Sequence, residues 1–328
     1  MSQLSDLKKA MKGVDVALVT PFNADGSLDL EGMRANVRWL IEYATGKDFI
    51  FTPVPSTGEF ASMSDDECKT VIKLVVEEVN GRAPVMAGGA RPGTLETIKM
   101  CQYAQSVGAD GAFVCLPYYY VPQEEGMYLH YKQIAESVDS NFGIMIYNNP
   151  STSGNWIKPP LMKRLSKIPN IIAVKEDTTD IGGYYGQRRA VDPEDAVILC
   201  GQGEFLFSFE ALYGCPGFVG GGPNFMPDLL YSSYEAAVAR DFDKLSEIII
   251  SLEPYYSFKR RMGESHGPHT GVPGTAGGSA GTMAIGVCKA AMDIIGLRGG
   301  EPRLPLVGLN NEEKAELSSI LRALKIVK

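Results

Sequence analysis

The chain lacks the features that mark several large classes of protein. It has three histidines, His130, His266 and His269, and none pairs with a carboxylate or a cysteine at a metal-ligand spacing, so no metal is expected. Its six cysteines, Cys68, Cys101, Cys115, Cys200, Cys215 and Cys288, form no CxxC pair and lie within apolar segments. They read as buried thiols in a reducing compartment. No Lys/Arg run occurs and the net charge is −8, which argues against nucleic acid or an anionic membrane as a partner. No stretch is apolar for long enough to span a bilayer. Residues 1–13 are polar, with lysines and no apolar core, so no signal peptide is expected and a cytoplasmic location is. GxSxG, HExxH and GxxxxGK[ST] are all missing.

Apolar residues make up 45% of the 328, enough to bury a large core without disulfides or metals. Eight short apolar runs are present: Val14–Val19, Phe49–Val54, Pro84–Ala87, Gly111–Leu116, Phe142–Tyr147, Ile171–Lys175, Ala196–Gly201 and Gly217–Gly220. Amphipathic stretches such as Asp65–Val79, Thr94–Val107 and Glu124–Val138 separate them, and Ser64 with Glu67 forms a capping-box pattern. Nearly continuous apolar strands imply burial on both faces, hence a parallel sheet. Eight strand–helix units predict an α/β fold, a (β/α)₈ TIM barrel with a C-terminal helical appendage. The alternative, an open doubly wound sheet, would place GxGxxG after the first strand, where Val19-Thr20-Pro21-Phe22 stands instead. The whole chain, 1–328, is expected as one domain, with the barrel at about 13–240 and helices over about 241–328. Those helices are predicted at Phe242–Arg261, Met283–Gly296 and Asn311–Leu324. Gly263–Thr282, rich in Gly, Pro, Ser and Thr, is expected as a mobile loop of lid type.

Barrel enzymes build their sites at the C-terminal ends of the strands. Those ends carry Ser56-Thr57-Gly58-Glu59, Tyr118-Tyr119-Tyr120, Tyr147, Lys175, Glu204 and Gly220-Gly221-Gly222. Lys175 ends the apolar run Ile171–Val174 and is expected to point into poorly hydrated space. There desolvation would lower its pKa and leave a nucleophilic amine. The structural alternative is a salt bridge to Glu59, Glu176 or Asp177. Tyr147 could move protons beside it, or be a packed tyrosine with a satisfied hydroxyl. Ser56, Thr57 and Gly58 could cradle a carboxylate with hydroxyls and N–H groups, or form a plain strand–helix turn. Gly220 to Gly222 would let backbone approach a ligand, or mark a simple loop.

Six ordered motifs carry a resemblance: Val19-Thr20-Pro21-Phe22, Ser56-Thr57-Gly58-Glu59, Gly108-Ala109-Asp110-Gly111, Pro117-Tyr118-Tyr119, Tyr147-Asn148-Asn149-Pro150-Ser151 and Val174-Lys175-Glu176. From Gly13 onward the chain resembles the dihydrodipicolinate synthase / N-acetylneuraminate lyase family of pyruvate-dependent class I aldolases. The resemblance implies that Lys175 is the Schiff-base lysine and Tyr147 the proton-shuttling tyrosine. It implies that Ser56 and Thr57 bind the pyruvate carboxylate and that backbone at Val219, beside Gly220, contacts the keto acid. Tyr119 matches a tyrosine that reaches a neighbouring subunit's site, and a homotetramer is implied. No cofactor is expected beyond the covalent imine on Lys175. Thr152 stands where the synthases carry an arginine for the aspartate-semialdehyde carboxylate.

The expected function is therefore a lyase on pyruvate or a 2-keto-3-deoxy sugar-acid type of substrate, with small-molecule keto acid and aldehyde as its partners. Thr152 and Glu204 are expected at the distal end of that substrate, with Arg91 or Arg261 as stand-ins for the absent arginine. Alternatives are a 2-keto-3-deoxy acid dehydratase or an aromatic hydratase-aldolase on the same scaffold, and, from a different class, a non-catalytic keto-acid binder.

Overall fold

A computed structural model describes residues 4–267 and 279–327. Eight parallel strands form the barrel: β1 Gly13–Ala17, β2 Phe49–Thr52, β3 Met86–Gly88, β4 Gly111–Cys115, β5 Gly143–Asn148, β6 Ile171–Glu176, β7 Val197–Cys200 and β8 Gly217–Gly220. Their hydrogen-bonded order runs β2-β1-β8-β7-β6-β5-β4-β3, and a parallel bridge between Phe51 and Val85 closes the ring. Helices follow the strands and surround them, giving a (β/α)₈ barrel.

Strand alternation divides the side chains. Val14, Val16, Ile146 and Val174 pack with the surrounding helices. Phe113, Met145, Tyr147, Ala173, Leu199 and Val219 fill the barrel. Leu7, from the N-terminal helix Leu4–Ala10, and Met11 just beyond it join this inner cluster and close one end of the barrel. A register shift between Ile144 and Met145 against β6 sets Tyr147 opposite Lys175 and Asn148 opposite Glu176. That shift is what brings the phenol and the amine to the same level.

Helix Asp65–Val79 carries the full capping box, with Ser64 and Glu67 each bonding the other's N–H. Two expectations need correction. Phe242–Arg261 is two helices, Phe242–Ser251 and Glu253–His266, because Pro254 lies in the first turn of the second and has no N–H to continue the first. Gly263–Thr282 is not wholly loop. Gly263–His266 finish a helix with Met262 and Gly263 buried, and helix Ser279–Ile294 begins inside the segment. Residues 268–278 of that expected loop lie outside the described residues.

The C-terminal helices reach the barrel mouth directly. Lys289 Nζ lies 2.5 Å from Glu59 Oε1, and Cys288 Sγ donates to the Gly221 carbonyl at 3.3 Å. Tyr256 donates to Glu204 Oε1 at 3.0 Å. No helix among the described residues is long and apolar enough to cross a membrane.

Candidate active site

Lys175 and Tyr147 meet at the C-terminal end of the barrel. The Lys175 Nζ sits 4.0 Å above the Tyr147 ring centre, and Phe113 stacks on that ring at 4.6 Å. Both residues are buried. Of the three acids expected as salt-bridge partners, the structure selects Asp177, with Oδ1 3.9 Å from the amine. Glu59 is committed to Lys289, and Glu176 accepts from Asn148 and the Trp156 indole.

Asp177 links the two central groups. Its Oδ2 accepts from the Tyr147 hydroxyl at 3.0 Å, while its Oδ1 faces the lysine. Asn149 Nδ2 reaches both the Tyr147 oxygen, at 2.6 Å, and Asp177 Oδ2. Gln202 Nε2 donates to the Asp177 carbonyl at 2.8 Å and to Oδ1 at 3.1 Å. Gly201 leaves the carboxylate its space, since a Cβ there would come within 2.5 Å of Oδ1.

The electrostatics correct the expectation of a depressed lysine. Burial does push Lys175 down, but Asp177, Tyr147 and Asp15 outweigh it, and its pKa lies above the ordinary value. Burial raises Asp177, a rise that Lys175 and the donors from Tyr147, Asn149 and Gln202 only partly offset. Tyr147 is raised by burial and by the Asp177 charge. Deeper in the barrel, burial pushes Asp15 up to about 7 against the hydroxyl that Thr52 donates at 2.7 Å. Lys175 is thus an ammonium surrounded by acids, and imine formation needs a group that takes its proton.

A small cavity adjoins these residues, about 10 Å³, room for one water molecule. Ser56, Ala90, Phe113, Cys115 and Tyr147 line it. Ser56 Oγ is buried with no partner among the described residues, a hydroxyl unused by the fold. Thr57 reaches the same mouth, and a Cβ on Gly221 would touch its methyl at 3.4 Å. Gly58 does not offer its N–H, which bonds the Pro55 carbonyl at 3.0 Å. Its requirement for glycine is steric instead, because a Cβ would come within 2.7 Å of the Leu18 carbonyl.

The remaining expected residues are more scattered. Val219 is buried inside the barrel beside Asp15 in register, and Gly220 is half-buried at the strand end. Glu204 is buried, with Oε2 facing Gly220 and Gly222. Thr152 is half-buried in the short helix Pro150–Ser153, its N–H bound to Asn149 Oδ1. Tyr119 is 78% exposed and meets Tyr120 edge to face. Both expected stand-in arginines already have partners, though Arg91 Nη2 is buried with none among the described residues. Arg91 bonds Asp65 and the Ala90 carbonyl, and Arg261 pairs with Glu316 at the surface. Sequence reasoning missed Asn149, Gln202 and Asp15, and met Asp177 only as a rim charge. Alternation was the available signal for Asp177, two residues past an inward lysine. Among the described residues, no three His, Cys, Asp or Glu side chains form a cluster fit for a metal.

A parallel barrel with a buried strand-end lysine beside a tyrosine is an arrangement that the lyases of the class I aldolase type can use. The comparisons agree. The Dihydrodipicolinate synthetase family matches over residues 10–256, and the chain belongs to that family. The chain is 31% identical over 316 residues to the 4-hydroxy-tetrahydrodipicolinate synthase of Archaeoglobus fulgidus, covering 96% of this chain and 99% of the relative. Dihydrodipicolinate synthase from Aquifex aeolicus superposes with a TM-score of 0.82 at 28% identity, over 96% of this chain and 99% of the other. A prophage protein of the family from E. coli K12, solved in complex with pyruvate, gives a TM-score of 0.83 at 26% identity, over 96% and 99%.

Proposed function

We propose that this chain cleaves or dehydrates a 2-keto acid through an imine on Lys175, and that the substrate is of the 2-keto-3-deoxy sugar-acid type rather than aspartate semialdehyde with pyruvate. The observation that carries the imine reading is the opposition of Lys175 and Tyr147 at adjacent strand ends. The amine attacks the ketone carbon, and the imine then withdraws electrons so that a bond at C3 can break through an enamine. Tyr147 moves protons at the reacting oxygen. The unpartnered Ser56 hydroxyl, with Thr57, receives the keto-acid carboxylate, and Val219 and Gly220 flank it from β8.

The distal end is where we expect this chain to differ from a synthase that binds aspartate semialdehyde. A second carboxylate would call for a cation, ideally a forked guanidinium. We take Thr152 and the carboxylate of Glu204 to line that end, while Arg91 and Arg261 each already carry an acid partner, Asp65 and Glu316. Hydroxyl groups suit that lining and an anion does not. Tyr119 and its exposed neighbours Tyr120 and Val121 are proposed to face a second copy, as in a homotetramer.

Borohydride reduction with pyruvate, followed by peptide mapping, tests the imine. Label on Lys175 is expected, and label elsewhere or none overturns the mechanism. For the substrate, a 2-keto-3-deoxy sugar acid should turn over far faster than aspartate semialdehyde condenses with pyruvate. The reverse ranking would reject the distal-pocket reading.

A further inference from the structure

We infer that Asp177 is the proton acceptor for Lys175, passing protons to Tyr147 across its two carboxylate oxygens. The inference rests on the imine reading above and adds a residue to it. One oxygen, Oδ1, lies 3.9 Å from the amine, and the other, Oδ2, accepts the Tyr147 hydroxyl at 3.0 Å. The carboxylate is therefore hydrogen-bonded to the phenol end of the proton path and stands within ion-pair range of the amine end. It is fixed from three directions, by Asn149, by Gln202 and by the Cβ-free space at Gly201. A charge that merely neutralised a lysine would need no such bridge to the phenol.

The proton count requires such a group. Imine formation converts an ammonium and a ketone into a protonated imine and water. The nitrogen gives up two protons, and the departing oxygen takes two. The first leaves the ammonium for Asp177, and the freed electron pair forms the C–N bond as the carbonyl π bond breaks. Tyr147 delivers a proton to the carbonyl oxygen and recovers one from Asp177. The second proton follows the same path as the C–O bond breaks and water leaves. Asp177 ends as a carboxylate facing the cationic imine. Burial strengthens it as an acceptor by raising its proton affinity above that of an ordinary aspartate.

The test is the pH profile of the rate at which pyruvate forms a borohydride-trappable adduct, in wild type, Asp177→Asn and Asp177→Glu. The titratable groups facing Asp177 are Lys175, Tyr147, Glu176, Glu210 and, through the lysine, Asp15. In Asp177→Asn the alkaline plateau should fall on the order of 10²-fold. The acid limb should move to lower pH, because the ammonium loses its counter-ion. Asp177→Glu should recover part of the plateau. An unchanged plateau in Asp177→Asn overturns the inference, and so does a lowered plateau with an unmoved limb. Should Asp177→Asn fail to fold, Asp177→Ala with added formate replaces it, and a rate that rises with formate concentration is expected. No response to formate rejects the role. Failure of wild type to trap pyruvate would instead reject the imine reading itself.

Discussion

Among the described residues, two lysines are buried against this barrel, and they are held in opposite ways. Lys289 Nζ lies 2.5 Å from Glu59, donates to the Glu301 carbonyl at 3.1 Å and sits 4.4 Å from the Phe22 ring. Lys175 stands 3.9 Å from its nearest carboxylate and rests on an aromatic face. Burial lowers Lys289 further than Glu59 can offset, whereas Lys175 is raised by several acids acting together. The closer partner thus does not give the higher pKa, because burial outweighs the acids around Lys289 and is outweighed by those around Lys175. Lys289 ties a C-terminal helix to the turn that carries Ser56 and Thr57. Lys175 has a more distant carboxylate and an aromatic face, and the covalent role proposed for it needs a neighbour that takes its proton.

The comparison breaks most sharply when each lysine is removed. Lys175→Ala should abolish borohydride labelling by pyruvate and lower kcat/KM by at least about 10³-fold, with the fold intact by circular dichroism. Lys289→Met should leave Glu59 as an uncompensated buried charge and lower unfolding stability by about 3–5 kcal/mol in denaturant titration. Adding Glu59→Leu to Lys289→Met should return most of that loss. A Lys289→Met variant as stable as wild type would show that Lys289 is not a structural lysine.

What the sequence makes legible follows the same divide. Eight apolar runs place the strands to within a few residues, because strands buried on both faces leave a continuous apolar trace. Lys175 and Tyr147 stand out because each ends such a run. Lys289 gives no comparable signal. It lies in a helix of small and apolar residues, and its partner Glu59 is remote in the chain, so only tertiary packing reveals the pair. Asp177 was hidden within the charged string Lys175-Glu176-Asp177, which reads as a solvated rim until alternation separates the inward residues from the outward one. Asn149 and Gln202 lie in polar connections whose composition says turn and nothing about what their amides hold. The sign of the Lys175 shift was lost for a related reason. Desolvation can be read from one strand, but the charges of Asp15 and Asp177 arrive from elsewhere in the fold.

Another buried acid sharpens the comparison by pH. Glu210 is buried with neither carboxylate oxygen hydrogen-bonded among the described residues, and burial pushes it up to about 8. A folded pKa raised above the ordinary 4.5 gives stability that is present in acid and lost as pH rises through about 8. Glu210→Gln cannot ionise and should escape that loss. Its melting temperature should match wild type near pH 5 and exceed it near pH 8, by the equivalent of about 2 kcal/mol after allowing for local relaxation. An equal difference at both pH values would show that packing, not ionisation, governs this residue.

The smallest effect is expected at the proposed distal end of the substrate, around Thr152. Thr152 is half-buried and its N–H is already bound to Asn149, so only its hydroxyl is available to a substrate. Thr152→Val keeps the side-chain shape and removes that hydroxyl. It should lower kcat/KM for a 2-keto-3-deoxy sugar acid by about 1 kcal/mol, the low end for a lost hydrogen bond at a partly wet site. The rate of pyruvate trapping at Lys175 should not change, because the three carbons of pyruvate end before the distal pocket. Thr152→Arg offers the sharper version. A guanidinium there should improve turnover of aspartate semialdehyde relative to the sugar acid, since it supplies the cation that a second carboxylate needs. Glu204 sets the limit on that gain, because its buried carboxylate faces Gly220 and Gly222 at the same mouth and would pair with the new cation. If Thr152→Val leaves both substrates untouched, the distal end of the substrate lies elsewhere on the rim.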